Sequence, residues 1–139
     1  MNSQTDKDRY PLRILSAIDL HNINEEVTNR PSMVRDHQVL QSAVRRPYII
    51  LFGQDQFPTL LDKAAATMYS IAAHHVFIDG NKRTAARATE VFLLANGLRP
   101  TWSTEEITPF VLEIARGNME IDAIVIWLQA RVEVLVDES

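Results

Sequence analysis

Apolar residues recur at intervals of three and four along most of this chain, and the breaks in that rhythm divide it into helices. Leu60, Leu61, Ala64, Ala65, Met68, Ile71 and Ala72 form one stripe. Ala85, Ala88, Val91, Phe92 and Ala95 form another. The first predicts a helix from Pro58-Thr59 to His74-His75. The second predicts a helix from about Lys82 to Ala95, closed by Asn96-Gly97, a pair suited to a helix C-terminus. Upstream, a helix is expected over Tyr10 to Glu26, with Pro11 in its first turn and Ile14, Leu15, Ile18 and Asn22 along one side. Thr28 to Ser32 contain Pro31 and no periodicity, so a loop is expected there. A second helix starts near Asp36, turns Leu40, Ala43 and Val44 inward and stops before Pro47. Downstream, Ser103 and Glu106 have the spacing of a capping box. They open a helix carrying Ile107, Phe110, Val111 and Ile114, with Pro109 in its first turns and an end near Gly117-Asn118. A last helix is expected from about Glu120 to Val132, where Trp127 reads as packing. Tyr48 to Phe52 breaks the helical period. It is short, β-branched and aromatic, and it is ended by Gly53, so it reads as a strand. Leu98 to Trp102 is a short connector. The pattern is that of a mainly α single domain over residues 1–139, with about six helices and loose ends at 1–9 and 133–139.

Composition narrows the possibilities without naming a function. A chain of 139 residues, 46% hydrophobic and 23% charged, suits one domain with one core. It has no cysteine, which excludes disulfides and thiolate metal sites and fits a reducing cytoplasm. No apolar run is long enough to span a membrane, and with a polar N-terminus no signal peptide is expected. A net charge of −4 argues against nonspecific binding to nucleic acid.

The densest chemistry lies between the two central helices, from His75 through Val76, Phe77, Ile78, Asp79, Gly80, Asn81, Lys82 and Arg83 to Thr84 and Ala85. Gly80 permits positive φ and a close approach by a ligand. The helix beginning at Asn81 or Lys82 has unpaired N–H groups and a positive dipole end. Lys82 and Arg83 at that end carry a local electrostatic cost, which a bound phosphate would offset. Asp79 is the loop's one carboxylate and, facing phosphates, suits a Mg²⁺ ion. His75 can take a proton near neutral pH. Phe77 is expected to anchor the loop in the core. Plainer readings suit other residues. His21 is expected to be a structural histidine near a helix end. Adjacent His74 and His75 diverge on a helix, so a shared transition-metal site is not expected, and His74 reads as a local contact. Arg35-Asp36 and Arg45-Arg46 read by default as solvated charges or local pairs.

The order His75-x-Phe77-x-Asp79-Gly80-Asn81-Lys82-Arg83 resembles the signature of the Fic/Doc superfamily, His-Pro-Phe-x-[Asp/Glu]-Gly-Asn-[Gly/Lys]-Arg, with Val76 in the place of Pro. Asn81-Lys82-Arg83-Thr84-Ala85 is similar to the Doc (death-on-curing) branch. AMP-transferring Fic proteins carry Gly where this chain has Lys82, and a second Arg where it has Ala86. Arg87 lies one residue further, roughly 100° around the helix. The resemblance extends to Val34-Arg35-Asp36, to Leu40 through Pro47, to Phe57-Pro58-Thr59-Leu60 with Lys63-Ala64-Ala65, and to Phe92-Leu93 with Asn96-Gly97. Asn29 to Met33 depart from it. Relatives have glycines there, so a differently shaped loop is expected.

The resemblance implies a Fic/Doc-like helical bundle with a short β-flap, in which Arg35 and Asp36 brace the loop ahead of the second helix. It implies a toxin of a toxin–antitoxin module, acting in the cytoplasm as an ATP-dependent protein kinase. Its target would be a Ser or Thr hydroxyl of translation elongation factor Tu, and translation would stop. ATP phosphates would lie over Gly80 and Asn81, Asp79 would hold Mg²⁺, His75 would act as base, and Lys82 and Arg83 would balance charge. A flap at Ile49, Ile50, Leu51 and Phe52 would dock the target. The partner would be a small antitoxin with a disordered segment, for which the first, second and fourth helices offer groove walls; neither nucleic acid nor a membrane is expected. AMP transfer, metal-dependent hydrolysis and a non-catalytic binding module are the alternatives. The inhibitory [Ser/Thr]-x-x-x-Glu-[Gly/Asn] helix of many Fic proteins has no counterpart in the sequence.

Overall fold

The computed structural model describes residues 11–135. Among them are six helices, α1 (Ala17–Thr28), α2 (His37–Arg45), α3 (Leu60–His74), α4 (Asn81–Ala95), α5 (Thr104–Ala115) and α6 (Ile121–Gln129). Four short strands pair as two antiparallel two-stranded sheets. β1 (Ile50–Leu51) pairs with β2 (Gln54–Asp55), and β3 (Leu98–Pro100) pairs with β4 (Val132–Val134). The fold is mainly α with a short β-flap, as expected.

α3 is the central rod. Ala64, Ala65, Ala66, Met68, Ile71 and Ala72 are all at most 1% exposed, because α4, α5 and α6 pack around it. Its alanines let neighbouring helices approach closely, and Phe92, Leu93, Val111, Ile114, Ile124 and Leu128 fill the space between. Reciprocal capping boxes open three helices, Ser16 with Asp19 for α1, Thr59 with Asp62 for α3 and Ser103 with Glu106 for α5. Trp127 stacks on Phe110 with ring centroids 4.3 Å apart and carries the Arg131 guanidinium on its face, so it packs as expected.

The first helix differs from expectation. It starts at Ala17, because Ser16 and Asp19 cap it there, and the segment before it is not helical. That segment is held by Asn96, whose amide exchanges two 2.9 Å hydrogen bonds with the backbone of Arg13, and by the Tyr48 hydroxyl, which accepts from the Leu15 N–H at 3.1 Å. The buried face of α1 is therefore Leu20, Ile23 and Asn24, whereas Ile18 is 71% exposed and Asn22 is exposed.

The expected strand also differs. Tyr48 belongs to a 3₁₀ turn over Arg46–Tyr48, and the extended part is only Ile50–Leu51. Phe52 and Gly53, at φ 52° and 73°, make the turn of a tight hairpin. Its side chains are not buried: Ile50 is 64% exposed and Phe52 fully so. α6 ends at Gln129 rather than Val132, and residues 133 and 134, expected to be loose, pair with β3. The other expected loose residues, 1–9 and 136–139, lie outside the described ones.

Candidate functional site

The His75–Arg83 loop joins α3 to α4, and its backbone is fixed from several sides. α3 ends because His75 takes a left-handed conformation, φ 50° and ψ 58°, which histidine tolerates better than most residues. Val76 and Phe77 are fully buried. Phe77 forms a β-bridge with Val34, in which Val76 accepts from the Arg35 N–H at 3.0 Å and the Ile78 N–H donates to Met33 at 2.9 Å. The brace expected of Arg35 and Asp36 thus runs through the Arg35 backbone, while Asp36 caps α2 by accepting from the Gln38 N–H at 2.7 Å.

Asn81 folds back on the loop. Its Oδ1 accepts from the Phe77 N–H and its Nδ2 donates to the Phe77 carbonyl, both at 2.8 Å. The side chain therefore shapes the loop. The glycine is needed for packing as well as for conformation: φ at Gly80 is +75°, and an added Cβ would lie 2.5 Å from Cγ2 of Thr28. The close approach is made by α1.

Asn24, which sequence reasoning passed over in favour of Asn22, is the buried tie between α1 and this loop. Its Nδ2 donates to the Asp79 carbonyl at 2.8 Å and to Oγ1 of fully buried Thr84 at 3.0 Å. The signal available was its place on the helix face with Leu20 and Ile23, hidden by the misplaced helix start. His21 is structural as expected, with Nδ1 2.8 Å from Ser32 Oγ and its ring edge-on to Phe77.

Against this fixed backbone the charged side chains are outward. His75, Asp79, Lys82 and Arg83 are all exposed. Arg83 donates to the Val27 carbonyl at 2.5 Å, in the last turn of α1, where the dipole favours a cation. Asp79 pairs with Arg30. No side chain caps α4, so no side-chain acceptor takes its first N–H groups. His74 sits edge-on to Tyr69; partial burial, then the charges of Arg46 and His75, hold its pKa below the ordinary histidine value.

Lys82 and Arg83 line a groove of about 560 Å³ between α1, α4 and α5. Val27, Ala86, Trp102, Ile107 and Val111 make its walls largely apolar. α2 contributes no wall to this groove. Arg87 also lines it, where Glu26 and Glu90 hold its guanidinium.

Among the described residues no three His, Asp or Glu side chains are placed to hold a metal. A lone half-exposed carboxylate fits a Mg²⁺ ion that takes its remaining ligands from phosphates and water. None of the described helices is long and apolar enough to cross a membrane.

The profile of the Fic/DOC family matches residues 14–93, which take in α1 to α3, the loop and most of α4. The chain belongs to the Fic/DOC family. The chain is also similar to Toxin Doc of Mycolicibacterium smegmatis (strain ATCC 700084 / mc(2)155), with 40% identity over 93 residues, 66% of this chain and 72% of that protein. The matched residues include the loop between α3 and α4, and the hairpin between α2 and α3 is a short β-flap.

Proposed function

We propose that this Fic/DOC protein is a toxin that transfers the γ-phosphoryl group of ATP to a Ser or Thr hydroxyl of a protein. The observation that carries the reading is that one loop bears both an exposed His75 and the open N-terminus of α4, whose Lys82 and Arg83 line an apolar groove. The groove suits the nucleoside, and the helix end suits the phosphates. His75 takes the proton of the target hydroxyl. Lys82 and Arg83 balance the charge that shifts as the bond to the transferred phosphorus changes hands. Asp79 would hold the Mg²⁺ that comes with the nucleotide, an ion that neutralises phosphate charge when bound.

AMP transfer is the second reading. Lys82 in the place of Gly and Ala86 in the place of the second Arg favour the phosphoryl group. The exposed flap supports docking of an extended target segment by strand addition at Ile49 to Phe52. Likeness to the Doc branch supports elongation factor Tu as the target and a small antitoxin as the partner. A partner segment that folds into the α1–α4–α5 groove would exclude the nucleotide.

Expression in a bacterial host without an antitoxin tests the reading. Wild type is expected to arrest growth and His75→Ala to permit it. Equal growth of both strains, at equal soluble protein, rejects the toxin.

A further inference from the structure

Asn29 to Met33, the segment that departs from the family pattern, is tied to α1 and to the loop between α3 and α4. Asn29, at φ 56°, ends α1 and donates its N–H to Glu25 at 2.8 Å. Ser32 donates its N–H to the Glu25 carboxylate at 3.2 Å, and its hydroxyl lies against His21. Met33 accepts from Ile78 at 2.9 Å. The backbone on either side of Arg30 is therefore tied to α1 and to the catalytic loop, and the Arg30 guanidinium reaches the Asp79 carboxylate. Among the described residues Asp79 is its one side-chain partner.

We propose that Arg30 is a phosphate-positioning residue that holds Asp79 until Mg²⁺-nucleotide arrives and then turns to the nucleotide's phosphates. The inference rests on the nucleotide reading of the site. Asp79 cannot serve a guanidinium and a metal equally well, because both draw on the same oxygens. The exchange is easy. The pair's side chains are 64% and 47% exposed, and such pairs change an equilibrium by a factor of about five at most. The Asp79 backbone stays put, because Asn24 holds its carbonyl. Arg83 is drawn to the Val27 carbonyl, so Arg30 is the cation that meets the carboxylate. A freed guanidinium offers paired donors that match phosphate oxygens. The consequence is ordered loading: metal alone competes with Arg30, whereas metal with a triphosphate gives Arg30 a new partner.

Arg30→Gln, Arg30→Lys and wild type are titrated with Mn²⁺ alone, the free ion being read by electron paramagnetic resonance. They are then titrated with the Mg²⁺ complex of a non-hydrolysable ATP analogue by calorimetry. Arg30→Gln is expected to bind Mn²⁺ up to about five-fold more tightly and the Mg²⁺-analogue about ten-fold more weakly. Arg30→Lys is expected to lie between it and wild type in both titrations. Two shifts of opposite sign are not what a damaged fold produces. Failure of wild type to bind the analogue rejects the nucleotide reading and this role with it. Binding by wild type, with both affinities unchanged in Arg30→Gln or both weakened, rejects the Arg30 role alone.

Discussion

The loop after α3 and the hairpin before it are opposites in construction. Around the loop, Val76, Phe77, Thr84 and Asn24 are buried, and Asn81, Asn24 and the Val34 bridge meet its backbone polar groups. The hairpin leaves Ile50, Leu51 and Phe52 half to fully exposed. It is held at its base, where the buried Lys63 ammonium bonds Asp55 at 3.1 Å and the Phe57 carbonyl. On the proposed function, the difference would separate two tasks. Proton and phosphoryl transfer need closely placed groups, which a backbone fixed by burial and satisfied polar groups would supply. Recognition of an extended segment needs an unpaired edge and uncovered apolar surface, both of which burial would remove.

Disturbing the fixed region is expected to cost most. Gly80→Ala places a methyl against Thr28 Cγ2 and a side chain at positive φ. A loss of about 2–4 kcal/mol in denaturant unfolding is expected. Adding Thr28→Ser removes the clashing methyl but keeps the hydroxyl bond to Asn24, and is expected to recover part of the loss. If the double variant is no better than the single one, the contact with α1 is not what fixes the glycine.

In the hairpin the expected effects are smaller and fall on the target. The Gln56 N–H donates to Ile49 at 3.0 Å, so the alternating ladder points the Ile50 N–H outward, to the open edge. Ile50→Pro therefore removes a donor offered to a partner. It is expected to raise KM for the protein target by about three- to ten-fold, from one lost hydrogen bond, with KM for ATP unchanged. Equal rises in both would mean a general defect. Phe52→Gly, relieving φ 52° at the turn, is expected to raise stability by less than about 1 kcal/mol; a clear loss of stability would show that Phe52 packs against the fold.

What could be read from the sequence follows the range of the interactions. Helices α2 to α5 and the loop between α3 and α4 carry local signals: periodicity, Ser103 with Glu106, Pro47 after α2 and Asn96-Gly97 after α4. Each acts over a few residues. The start of α1 was equally local, in Ser16 and Asp19, but Pro11 offered a competing first turn. The error moved the buried amide from Asn24 to Asn22. The hairpin was half legible, since β-branched residues mark extended chain but do not tell exposed from buried. The pairs Asn24 with Thr84, Arg30 with Asp79 and Lys63 with Asp55 depend on tertiary approach, and nothing in local spacing encodes the first two.

The most direct test of phosphoryl transfer by the α3–α4 loop uses ATP labelled at either the γ- or the α-phosphate. Wild type and His75→Ala are incubated separately with each label and with purified elongation factor Tu. Transfer of γ-label by wild type is expected, with a rate at least about 10²-fold lower in His75→Ala, as loss of a general base implies. Transfer of α-label would make the protein an AMP-transferase, and γ-label transfer at an undiminished rate by His75→Ala would contradict the role given to the loop.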